Sequence, residues 1–507
     1  MKRTKISLAL LAGMAISLAF VSCDDKNDDM DPILDMPGTA PEVSFAALTS
    51  DNKILMYDAQ NLASPTASTA ITGLTSGEMI VSIDYRPATG QLYALSSASR
   101  LYHINENSGA ATVLGTAPFS PAYSGDNPSL DFNPTVDRVR LVTESGQNLR
   151  LHPELGTVVA TDGSINGGMN PRIGAVAYSN SFSGTTSTTL FDIDFEQDKL
   201  YKQVPPNDGG LEEVGDLGVD FDGIGDMDIN PDNSVALAVN RKDDESRLYT
   251  INLTTGEAMW VGTFTGPVVS IAFKTNPIAY ATDAANKLYR FDPTDPNPIV
   301  VDIVGLMDGE MISGLDFRPE NGQLLAISNM SQLYSVNPSS GAVTAIGMPL
   351  DPMAKGDFIG FDFNPTVDRI RLITEQGQNL RLHPDLGTVV AVDGSLNPGS
   401  PMASGAAYTQ SFAGTASTAL FVIDAQKDMV YQVSPPNDGV LVEIGSLGID
   451  ITDANGFDIG GTSDMAYGVF AVGGASGVYS VNLMTGAAAK VSDLDFMPAS
   501  MALGLGF

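Results

Sequence analysis

Cysteine occurs once in the 507 residues, at position 23, so no intramolecular disulfide and no cysteine-built zinc or iron–sulfur site can form. Histidine occurs three times, as His103, His152 and His383, which leaves little for His-rich metal chemistry and narrows any nucleophile–His–acid triad. Trp260 is the only tryptophan, so a broad platform for stacking sugars would have to rest on tyrosines. Positive charge is scarce too. Lys and Arg number 26 against 60 Asp and Glu, a formal charge of −34 that repels nucleic acid and anionic lipid and speaks against a nucleic-acid partner. Walker, dinucleotide-glycine and Gly-x-Ser-x-Gly motifs are all missing, and no catalytic residue is assigned. What remains is 43% hydrophobic, with 51 Gly and 30 Pro: a chain long enough for one large core or several, and rich in turns.

One long apolar run is present. Lys2, Arg3 and Lys5 precede Ile6 to Val21, a stretch short for a membrane span of about 20 residues and patterned as a signal peptide. It ends at Phe20-Val21-Ser22-Cys23, placing the lone cysteine where a small residue precedes it. The segment resembles the processing box of Bacteroidetes-type lipoproteins, which implies a signal peptide over 1–22 and acylation (palmitate) at Cys23. Two or three acyl chains, at roughly 0.8 kcal/mol per buried CH₂, anchor stably where one does not. Cleavage removes three basic and no acidic residues, which takes −34 to −37. Residues 23–42, opening Asp24-Asp25-Lys26-Asn27-Asp28-Asp29, read as an acidic disordered tether. An acidic run just after the lipidated cysteine resembles a surface-export signal, so the expected location is the outer membrane, exposed at the cell surface.

Beyond the tether the chain is a duplication. Asp131 to Gly163 and Asp362 to Gly394 differ at five of 33 positions, and Pro205-Pro206-Asn207-Asp208-Gly209 aligns with Pro435-Pro436-Asn437-Asp438-Gly439. The copies run over 43–275 and 276–507. A fainter period lies inside each: Leu101-Tyr102-His103-Ile104-Asn105 recurs at Leu248, Leu333 and Val478, each followed by a glycine turn. Alternating apolar and polar residues mark short strands, four to a unit, with no amphipathic helix of 12 residues after the leader. Units of this kind predict an all-β propeller of ten four-stranded blade motifs, either one ten-bladed ring or two five-bladed rings.

The joint between the copies bears on that choice. Only Lys274 to Pro277 separate Val268–Phe273 from Ile278–Thr282, and four residues span at most about 14 Å. That spacing favours a hairpin within one blade, hence a single ring, with Ser500–Phe507 supplying the innermost strand that 43–72 lacks. The paired DFNPTVDR, GQNLRLHP and LGTVVA-DG segments resemble domain of unknown function 4394. The resemblance covers residues 43–507 and implies a propeller-like β fold, with no activity or site residue to carry over.

The densest polar pattern is the duplicated hairpin. Arg138 and Arg140 share one strand face, as do Asn148, Arg150 and His152 on the next strand; Arg369, Arg371, Asn379, Arg381 and His383 repeat them. In so acidic a chain they form either an anion or carboxylate site, since Arg offers a bidentate fork, or ion pairs with strand aspartates such as Asp131 and Asp228. Recurrent strand aspartates line the channel as an acid or metal site, or accept N–H groups from the next blade. Asp220, Asp222, Asp226 and Asp228 alternate beside glycines, as Ca²⁺ ligands do, though without the EF-hand spacing; no other cofactor is indicated. The expected function is a lipid-anchored binding or scaffolding module for a protein or glycan. The alternative is a hydrolase, glycosidase or lactonase-like, with an acidic site at the channel mouth.

Overall fold

The computed structural model describes residues 37–276, 278–357 and 359–507; the leader, Cys23 and most of the tether lie outside the described residues. Among the described residues, forty strands form ten four-stranded antiparallel sheets. The only helical segments among the described residues are two 3-10 turns, Pro206–Asp208 and Pro436–Asp438. Within a blade the strands pair in chain order, as in Ile80–Tyr85, Leu92–Ser96, Leu101–Ile104 and Ala111–Leu114. An innermost strand has a neighbouring blade on each face, and Ile173–Tyr178, all small or apolar except its last residue, is buried throughout. The outermost strand Thr157–Thr161 alternates exposed and half-buried, as a solvent-facing edge does.

The innermost strands touch in two closed circuits. One joins Ile80–Tyr85, Ser129–Asn133, Ile173–Tyr178, Ile224–Ile229 and Val268–Ala272. The other joins Ile312–Phe317, Ile359–Asn364, Ala403–Tyr408, Asp453–Ile459 and Pro498–Leu503. Buried apolar clusters follow the same division: five fill the gaps between the blades of the first circuit and five those of the second. The ten blades therefore make two five-bladed rings, each with its own core.

This overturns the expected hairpin at the joint. Val268–Ala272 pairs with Ser44–Thr49, completing the first blade of ring one, whereas Ala279–Asp283 pairs with Pro498–Leu503 in ring two. The C-terminal strand thus closes its own copy rather than the blade at 44–70. Physically, each copy buries both of its sheet edges at home, and four residues suffice as a link because the rings lie against each other. Arg86 Nη1 donates to Gly322 O at 3.1 Å, Tyr280 Oη to Ala88 O at 2.8 Å and Gly506 N to Thr89 O at 2.8 Å. His103 Nε2 lies 3.0 Å from Glu320 O. Most of these groups sit in turns between the first and second strands of their blades, so the rings meet through one end of each.

Candidate functional site

Three carboxylates converge on the axis of each ring. Asp84, Asp131 and Asp228 offer oxygens within 4.8 Å of one another in ring one, and Asp316, Asp362 and Asp458 do so in ring two; all six residues are buried. Each stands one residue before the end of its blade's apolar run, where the strand's pleat turns it toward the next blade. Asp84 accepts Phe132 N at 2.8 Å, Asp131 accepts Tyr178 N at 3.1 Å and Asp228 accepts Phe273 N. In ring two Asp316, Asp362 and Asp458 accept Phe363, Tyr408 and Leu503 N in the same way. The aspartates therefore tie three of the five blades in each ring to their successors.

Burial pushes Asp84, Asp131, Asp316 and Asp362 well above the ordinary carboxyl range, and the neighbouring carboxylates push further. Burial likewise lifts Asp228 and Asp458 to about 7. Three such groups cannot all ionise side by side, so at neutral pH each knot shares protons. The oxygens are of the hard type that Ca²⁺ takes, and among the described residues these two triads bring three carboxylates close enough together to hold a cation.

Two residues before each triad aspartate the rings differ. Ring one has Ser82, Ser129 and Asp226, with Ser270 at the matching place on the fifth strand. Ser129 Oγ donates to Asp226 at 2.8 Å, and Ser82 and Ser270 donate to its other oxygen, so Asp226 plugs the axis, lifted by burial to about 8. Ring two has Gly314, Gly360, Gly456 and Ser500 there. These strands pack so closely that a Cβ on Gly360 would stand 2.5 Å from Ala406 Cβ, and one on Gly456 2.5 Å from Met501 N. A cavity of about 10 Å³, water-sized, is left inside that collar.

The four aspartates read as a calcium loop do not come together. Asp220 and Asp222 lie in an exposed turn paired with Lys242, while Asp226 and Asp228 sit on the strand Ile224–Ile229 facing the axis. The turn ends before the strand begins, so alternate positions in sequence point into different surroundings.

The duplicated hairpin divides in two. Arg140 and Arg150 are directly opposed across the strands, a like-charge pair that Asp162 neutralises at 2.6 and 2.7 Å. Asn148 and Asn207 accept from Arg140 at 2.7 Å, and Asn148 reaches Gly163 O and Pro206 O, stitching this blade to the next. Arg371, Arg381, Asn379, Asp393 and Asn437 repeat the knot. The expected partners Asp131 and Asp228 are therefore replaced by Asp162, whose only signal in the sequence was its repetition as Asp393. Arg138 and His152, at the other end of the hairpin, line a cleft of about 330 Å³ between the rings. Behind them Arg86, fully buried, pairs with Asp137 and with Glu154 at 3.1 Å, a cluster to which the sequence reading assigned no role. Arg369 and His383 occupy the same turns in ring two but do not line that cleft.

The profile of a domain of unknown function, DUF4394, matches residues 53–272 and again 287–503. No curated protein matches the chain. Among solved structures, one titled "Structure of Dos1 propeller" is similar at 10% identity and a TM-score of 0.25, covering 66% of this chain and 91% of that one.

Proposed function

The chain belongs to the DUF4394 family, in two copies, and on that footing we propose that it is a binding or scaffolding module for a protein or glycan partner, held at the outer membrane as a lipoprotein through Cys23. The cleft between the rings carries this reading. There side chains with hydrogen-bonding capacity to spare, Arg138 and His152 among them, face an opening of ligand size. The axes serve another purpose, since their carboxyls accept backbone N–H groups of the adjoining blades. Converging carboxyls of raised pKa are also what the hydrolase alternative requires. Here, however, both oxygens of Asp84, Asp228, Asp316 and Asp458 accept amides, which leaves them poorly placed to exchange protons with a substrate.

The test is capture from envelope extract and a glycan array with the mature chain, alongside hydrolysis assays on the same glycans. Saturable binding without turnover supports the module; turnover abolished by Asp131→Ala or Asp362→Ala in folded protein would replace it with the hydrolase. Cys23→Ser should release the protein from the membrane fraction, and retention there would refute the anchor.

A further inference from the structure

We propose that the cleft between the rings binds a neutral, hydroxyl-rich glycan segment, an inference that rests on the binding-module reading and gives it a place and a ligand class. One wall comes from ring one, where the turn before Arg138–Val142 brings Asp137 and Arg138, and the turn after Asn148–His152 brings His152, Glu154 and Leu155. The facing wall comes from the outer strands Leu333–Val336 and Val343–Ile346 of ring two, with Ser335, Asn337 and Thr344, and from Gln323 in the preceding turn. The site exists only because the rings are docked, and neither copy contains it alone.

Its chemistry is that of mixed donors and acceptors without net charge. Arg138 spends one N–H on Asp137 O at 2.7 Å, and its other guanidinium N–H groups have no hydrogen bond among the described residues. His152 Nδ1 accepts Glu154 N at 3.3 Å, which puts the proton on Nε2. Burial, then the charges of Arg138 and Arg86, push His152 down to about 4, so it stays a neutral donor across the physiological range. Arg86, buried behind the wall, and Arg138 in it balance Asp137 and Glu154, and the chain as a whole carries −34. An anionic ligand therefore meets repulsion at long range and no net attraction at contact. Hydroxyls, which both donate and accept, can use the guanidinium, imidazole, carboxamide and hydroxyl groups together, and Leu155, half exposed, offers an apolar patch to a sugar's C–H face.

Ring two supplies the control. Arg369 Nη1 donates to Asp368 O at 2.7 Å and His383 Nδ1 accepts Asp385 N at 3.3 Å, the same local bonds outside the cleft. Calorimetric titration of the mature chain with maltohexaose, cellohexaose, mannohexaose and hexa-N-acetylchitohexaose, and with hexagalacturonic acid as the charged probe, tests the proposal. At least one neutral hexasaccharide should bind, Arg138→Ala and His152→Ala should each weaken it by about tenfold, and Arg369→Ala and His383→Ala should leave it within about twofold. Unchanged melting of each variant checks folding. Equal affinity in wild type and Arg138→Ala, or preference for hexagalacturonic acid, overturns the inference and leaves the module reading standing. So does a wild type that captures a protein but none of the neutral probes. Capture of nothing at all overturns both.

Discussion

Ring one closes its axis with a carboxyl held by three serines, whereas ring two closes the same level with glycines that let the strands draw together. Both keep the triad above it, both keep the Arg–Asp–Asn knot between their third and fourth blades, and five differences in 33 residues separate the best-matched segments. What the comparison teaches is that a five-bladed axis can be filled in two ways, by a satisfied polar plug or by removal of side chains, and that each solution is a set. Asp226 needs Ser82, Ser129 and Ser270; Gly456 needs Gly314, Gly360 and the close approach of Met501.

Exchanging one member without its set should break the comparison most. Gly456→Asp places a Cβ against Met501 N and a carboxyl beside Ser500 as the one serine at that level, and should cost about 4 kcal/mol or more. Asp226→Gly leaves three serine hydroxyls short of an acceptor and should cost about 2–3 kcal/mol. Urea denaturation measures both, and equal tolerance of the two exchanges would refute the idea of separate sets.

A second difference lies one gap away and runs in the stabilising direction. Both carboxyl oxygens of Asp192 and the Oε1 of Gln203 are buried without a hydrogen-bond partner among the described residues. Ring two has Val422 and Val433 in these places, inside an apolar cluster. Burial pushes the Asp192 carboxyl well above its ordinary range, so it stays neutral at the cost of holding a proton. Asp192→Val with Gln203→Val should stabilise ring one by about 1–3 kcal/mol, and a loss in urea midpoint would show that the pair has a partner worth keeping.

The smallest difference is in pH response. Asp226, at about 8, and Asp228 and Asp458, at about 7, all sit above the unfolded carboxyl value. The folded chain therefore holds protons that the unfolded chain releases above about pH 4, so this stability is full below that pH and is lost as pH rises through 7 to 8. Ring one, with Asp226 in addition to its triad, should lose more. Melting temperatures from pH 4.5 to 8.5 should fall with pH, and less steeply in Asp226→Asn; a rise over that range would sink the shared-proton account.

The blades were legible because strand alternation and the glycine turns are local, and the family was legible because the repeated segments are long. The axial aspartates were legible as a pattern, apolar-Asp-apolar, with two possible uses. Which use holds depends on where the next blade's N–H lies, about 45 residues away in the chain. The hairpin's arginines were found, but their partner Asp162 was not, since a carboxylate 12 residues beyond Arg150 looks no different from one that faces solvent. Arg86 carried no role in the sequence reading because its burial is completed by Gly322 of the other ring.

By itself the sequence determined the strand content, the twofold copy, the ten blade motifs and the strong negative charge, all of which follow from neighbours in the chain. Only the tertiary structure decided that each copy closes on itself, that Pro498–Leu503 completes the blade at 279–302, and that a polar cleft opens where the copies meet. The reason is that strand pairing, the sharing of a proton among buried carboxyls and the docking of two rings depend on distances between residues far apart in sequence, and no local pattern encodes a distance.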